Sequence, residues 1–262
     1  MSGITRPLGR PTVLEPSLAE RVERRRLLTA SVIGGALVAT GLAACQNQGS
    51  AQPGNAAGGE NGEEGISAVE DLMREHGVLR RILIVYQETA FRLARDPARI
   101  DAAALGDAAT LFRQFGEDYH ERGLEERFLF PELQQSGGEA GGLVDTLLAQ
   151  HQRGREITDY VLQTLRGGSI ATAAAEPLSR ALLTMNRMYE AHAAWEDTVV
   201  FPAWKELMEP ARLRELAETF EEIEHQQFGE DGFDEAIRRV RSIEQRLGVA
   251  DLASFTAPAT SG

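Results

Sequence analysis

The stretch YEAHAAWEDTVVFPAW (189–204) sets His192 four residues ahead of Glu196, and a Phe-Pro follows. The earlier stretch YHERGLEERFLFPEL (119–133) repeats the arrangement, with His120, Glu125 and a Phe-Pro. Residues four apart on a helix lie about 40° apart in projection and about 6 Å apart along the axis, so both side chains can reach one centre. His76 and His151 each continue an apolar helical stripe, as His192 does. Converging imidazoles repel when protonated and leave unmet acceptors when neutral; a bound cation resolves both problems. Imidazole and carboxylate donors without thiolate suit iron, zinc or manganese. The one cysteine of the chain, Cys45, precedes the helical body.

These donors need helices to aim them. Ser67-Ala68-Val69-Glu70 has the form of a capping box, and Val69, Leu72, Leu79, Leu83, Tyr86, Ala90 and Leu93 make a helical stripe that stops at Asp96-Pro97. A second helix is predicted over about 101–133, with Leu105, Phe112, Phe115 and Leu124 inside. After a break at QQSGGEAGG (134–142), a third covers about 143–165 and a fourth about 177–208. Two shorter helices are expected over 211–227 and 234–247. No stretch alternates with period two. The fold class is therefore all-α, an antiparallel up-down-up-down four-helix bundle with an extra C-terminal helix pair. Trp195, Trp204, Met185 and Met188 are expected in its core.

The chain also repeats itself. VEDLMREHGVLRRI (69–82) aligns with VDTLLAQHQRGREI (144–157) at an offset of 75 residues. Two similar hairpins would each present one histidine from a first helix and a histidine plus a glutamate from a second, facing the interface between the halves.

The 262 residues carry a formal net charge of −13. Such acidity argues against a nucleic-acid partner and offers no basic stripe to anionic lipid. Residues 24–45, RRRLLTASVIGGALVATGLAAC, combine an arginine cluster, a short apolar run and a small-residue site, the parts of an export signal. The arginines resemble a twin-arginine signal, and Leu42-Ala43-Ala44-Cys45 resembles a lipobox. That resemblance implies a lipid anchor on Cys45; the alternative is an uncleaved anchor helix. Either places the bundle in the cell envelope, outside the cytoplasmic membrane. The domain organisation expected is a signal over 1–45, a flexible linker over 46–66, the bundle over 67–248 and a disordered tail over 249–262.

Taken in order, the histidines, glutamates and Phe-Pro pairs resemble the hemerythrin-like family, the HHE cation-binding domain, over roughly residues 66–230. The resemblance implies a non-haem di-iron centre bridged by carboxylates, which binds dioxygen or senses oxygen, iron or redox state. It implies His76, His120, His151, His192 and Glu196 as ligands, with Glu125 the matching carboxylate. The same centre acting on peroxide, nitric oxide or ferrous iron is the enzymatic alternative, and a metal buffer or adaptor bundle is the third.

Two departures from the family pattern shape the expectations. His120 and Glu125 are five apart, which on a regular α-helix turns Glu125 about 140° away from His120. A π-bulge near 122–124, at Gly123, would return Glu125 to the inner face; in a regular helix Glu121 is the ligand instead. One turn after His151, where oxygen carriers of the family have another histidine, stands Arg155, as Arg80 follows His76. These arginines either pair with glutamates around the site or lie in solvent. The missing ligand is either His225, in FEEIEHQQFGEDGF (220–233), or absent.

Overall fold

The computed structural model describes residues 66–229 and 232–260. The expected export signal, and all of the expected linker except Ile66, lie outside them. The described residues are all-helical, and none of their helices is long and apolar enough to cross a membrane. Helix α1 spans Ala68–Leu93. It starts where the Ser67 hydroxyl accepts from the Glu70 N–H at 3.2 Å, and Glu70 and Asp71 sit in its first turn, where acidic groups favour the helix dipole. Every residue of the predicted α1 stripe is buried.

Helix α2 is one continuous rod of three parts: an α-helical Ala102–Leu111, a π-helical Phe112–Leu129 and an α-helical Phe130–Ser136. Helix α3 spans Gly138–Leu165. Helix α4 joins α-helical Thr172–Trp195, a π-helical turn at Glu196–Val200 and α-helical Phe201–Leu207. These four helices form the bundle. Helices α5 (Pro210–Phe228) and α6 (Gly232–Leu247) pack over α1 and α2. Phe228 of α5 meets Phe115 and Tyr119, and Glu244 of α6 pairs with Arg81 of α1.

Several boundaries differ from the sequence reading. The break expected over 134–142 shrinks to Gly137, at φ 74°. There the chain turns so tightly that a Cβ on Gly141 would lie 2.5 Å from the Leu133 carbonyl oxygen. Helix α4 begins at Thr172 rather than at Pro177, which falls inside it. The tail is not wholly irregular: Val249 is buried, and Asp251 caps a short 3₁₀ turn over Leu252–Phe255. Trp204 and Met185 are in the core, but Trp195 is 48% exposed. With Glu196 turned fully inward, its predecessor is carried about 100° round the helix toward the surface.

The π-helical runs are the feature that positions the site. Closing the ladder from i to i+5 stacks residues five apart, the spacing of His120 and Glu125. The N–H of Phe130 bonds the Glu125 carbonyl, and the N–H of Phe201 bonds the Glu196 carbonyl. In each case a proline follows, at 131 or 202, with no N–H of its own to return the ladder to i−4 at that point. The bulge expected near 122–124 is thus part of an 18-residue π-helical run, and a second π turn, unforeseen, follows Glu196 in α4.

Candidate metal centre

His76 of α1, His120 and Glu125 of α2, His151 of α3, and His192 and Glu196 of α4 meet at the bundle axis, none more than 4% exposed. The imidazoles form two pairs. His76 and His120 face each other Nε2 to Nε2 at 3.0 Å, and His151 and His192 do so at 3.1 Å. The carboxylates span the pairs. Glu125 puts Oε1 3.4 Å from His120 Nε2 and Oε2 3.4 Å from His151 Nε2. Glu196 Oε2 lies 3.4 Å from His76 Nε2 and 3.1 Å from His192 Nε2.

Each outer ring nitrogen has its own partner. His76 Nδ1 lies 2.7 Å from Asp197, His120 Nδ1 2.5 Å from Glu75, His151 Nδ1 2.9 Å from Glu126 and His192 Nδ1 2.9 Å from Gln150. Such partners take an Nδ1–H and leave the Nε2 lone pair aimed inward, the arrangement that orients metal-bound histidines. Sequence spacing did not single out these four partners, because each lies on a different helix from the histidine it orients.

The donor set fits cations. All four carboxylate oxygens of Glu125 and Glu196 are buried without a hydrogen-bond partner. Buried orphan acceptors of that kind are rare and need a compensating group. Protonation does not supply one. Burial opposes the charged imidazolium at His76, His120 and His151, yet carboxylates raise all three above the ordinary range, His151 to about 10. Burial likewise opposes the charged carboxylates, but the histidines hold Glu125 and Glu196 below their usual range. Two charged imidazoles would set N–H against N–H at 3.0 Å and two neutral ones lone pair against lone pair, while a single shared proton would join each pair and still leave the carboxylate oxygens unmet. A bound cation among the four Nε2 atoms and the two carboxylates would satisfy both kinds of donor.

The remaining predicted residues fall as follows. Glu121 stands apart from Glu125 and Glu196, in a second converging group with Glu126 and His151; its Oε1 accepts from the Tyr189 hydroxyl at 2.6 Å and its Oε2 from Arg155 at 3.1 Å. Arg155 is buried and also bonds Glu126 at 2.9 Å. Arg80 pairs with Asp197 while its side chain stays 44% exposed. His225 is brought to none of the converging donor groups among the described residues. It is half-buried near the end of α5, where its carbonyl accepts from the Gly229 N–H.

A narrow cleft between α1 and α4, with a free volume of about 10 Å³, adjoins the centre. Leu79, Leu83 and Ala193 make its apolar walls, Arg80 lies at its outer side, and His76, His120 and His192 lie at its base. That volume is about what a single water molecule needs, so the space fits at most a ligand of a few atoms.

Comparisons with known proteins agree with this geometry. The family model described as the hemerythrin HHE cation binding domain matches residues 67–204. Uncharacterized proteins of Mycobacterium tuberculosis and Mycobacterium bovis are 41% identical over 248 residues, covering 94% of this chain and 95% of theirs. No solved structure matches the chain.

Proposed function

The chain belongs to the hemerythrin HHE cation-binding family, and from that premise we propose that it is a non-haem di-iron protein that binds or senses dioxygen or redox state outside the cytoplasmic membrane. The supporting observation is the pairing of four inward Nε2 atoms with four orphaned carboxylate oxygens. His76 and His120 would hold one iron, His151 and His192 the other, and Glu125 and Glu196 would serve both. Zinc or manganese suits the same donors. Bound iron supplies open coordination positions and one-electron redox chemistry.

The protein's own groups then do three things. Asp197, Glu75, Glu126 and Gln150 fix the imidazole orientations. Leu79, Leu83 and Ala193 keep the approach apolar and narrow. The Tyr189 hydroxyl, held by Glu121 in the lining of that approach, keeps a proton beside it. That last feature favours a second reading, reduction of peroxide or nitric oxide by an external electron donor, because each such reduction consumes protons as well as electrons. The envelope location is supported by the Arg24-to-Cys45 segment, with a lipid anchor on Cys45.

Iron analysis and absorption spectra of the full chain, in air and after oxygen removal, test the reading. The expected result is two irons per chain and bands that appear and vanish reversibly; catalytic loss of added peroxide or nitric oxide that depends on an electron donor selects the second reading. His120→Ala and His192→Ala should each lose iron while helix content stays nearly constant. Full iron retention in both variants would refute the ligand assignment.

A further inference from the structure

Glu75 and Gln150 occupy equivalent positions of the two hairpins, 75 residues apart and each directly before a histidine of the centre. Each reaches to the second-helix histidine of its own half. His120 Nδ1 lies 2.5 Å from Glu75 Oε2, and His192 Nδ1 lies 2.9 Å from Gln150 Oε1. The other two histidines are matched: His76 faces Asp197, His151 faces Glu126, and each of those carboxylates pairs with an arginine, Arg80 or Arg155. The halves therefore agree at one imidazole and differ at the other. Glu75 is 1% exposed, its remaining oxygen accepts from the Tyr119 hydroxyl at 2.8 Å, and no arginine pairs with it among the described residues. Gln150 is half-buried and neutral.

A carboxylate that takes the Nδ1–H draws the ring toward imidazolate and strengthens Nε2 as a donor; charge-assisted bonds are roughly twice as strong as neutral ones. We propose that Glu75 and Gln150 make the two metal positions unequal. The position of His76 and His120 binds its cation more tightly, and the position of His151 and His192 more weakly. Glu75 and Gln150 are positioning residues that act through the imidazoles. The inference rests on the two-metal reading of the centre.

Cobalt(II) titration of the full chain against a competing chelator, followed by visible absorption, tests it. Repulsion between neighbouring cations separates two binding steps in any such centre, so the shifts on substitution carry the test. Glu75→Gln should weaken the tighter step by about 10-fold or more, the low end for outer partners of metal ligands. Gln150→Glu should tighten the weaker step by a similar factor, a gain that mere structural damage cannot produce. Both steps unmoved by either substitution, with two cobalt ions still bound, overturns the proposal and leaves the two-metal reading standing. Fewer than two cobalt ions on folded wild-type protein overturns both. Should Glu75→Gln lose helix content by circular dichroism, Gln150→Glu decides alone, and an unchanged or weakened second step overturns the proposal.

Discussion

Along the seam between α2 and α3, the Arg155 side chain is 10% exposed and lies between Glu121 and Glu126; along the seam between α1 and α4, its counterpart Arg80 is 44% exposed and pairs with Asp197 alone. Neighbouring positions diverge in the same sense. Gly154 of α3 stands where α1 has Leu79, and Thr158 where α1 has Leu83. Thr158 bonds the buried Glu117 at 2.5 Å, and Arg113 holds both Glu117 and Asp159. One seam is a closed polar network. The other is apolar and carries the cleft. The two similar hairpins thus share the groups that could hold cations and differ in the groups that line or close their seams.

Removing Arg155 should break this contrast hardest. Arg155→Ala leaves Glu121 and Glu126 without their cation, and breaking a buried pair by deleting one partner typically costs about 3–5 kcal/mol. Since Glu126 is partly exposed, the lower end, about 3 kcal/mol, is expected from urea unfolding of the metal-free protein. A loss below about 1 kcal/mol would mean that the α2–α3 network is not a structural seal.

The same seam should show in the pH dependence of stability. Burial pushes the Glu117 carboxyl from 4.5 up to about 7, with Thr158 opposing and Glu121 adding to the rise. The folded protein then binds more protons at this group than the unfolded chain does between those values. Its contribution is fully present below pH 4.5 and is lost as pH rises through about 7. Glu117→Gln removes the titration, so the stability of the variant relative to wild type should improve by roughly 2–3 kcal/mol from pH 5 to pH 8. A difference that is flat across that range, measured by chemical unfolding, would contradict the buried-acid account.

How much of this was legible in the sequence follows from which contacts are local. The α1 stripe, the four helices and the inward histidines follow from spacing along single helices. Glu125 was legible because its five-residue spacing conflicts with its place before Phe-Pro, and only a π-helical turn reconciles the two. The length of the π run and the second π turn after Glu196 were not, since they depend on backbone bonds that side-chain periodicity does not encode. The Nδ1 partners were hidden because they cross between helices, although the repeat does align Glu75 with Gln150. Trp195 shows the limit of reading burial from residue type: inward Glu196 leaves it no room at the core.

Gly154 sharpens the comparison at a single atom. A Cβ there would lie 2.0 Å from the Tyr189 hydroxyl, so Gly154→Ala forces the ring to shift and costs the 2.6 Å bond to Glu121. Overpacking of this kind destabilises by about 1–3 kcal/mol. Adding Tyr189→Phe should recover only part of the loss, because the ring carbons at 2.8 and 2.9 Å still collide. Strict additivity in the double variant would show that the two positions do not touch.

Arg80→Ala should have the smallest effect. The Arg80 side chain is 44% exposed and Asp197 is 20% exposed, so water replaces most of what the pair provides. Exposed ion pairs contribute about 0–1 kcal/mol, and salt reduces even that. Asp197 also keeps His76 Nδ1 at 2.7 Å after the arginine is gone, so the imidazole retains its orientation. Iron content should therefore hold, and urea unfolding should move by less than about 1 kcal/mol, with the difference shrinking as ionic strength rises. A loss equal to that of Arg155→Ala would mean that the two seams seal the centre alike, and the cleft between α1 and α4 would no longer stand apart as the way in.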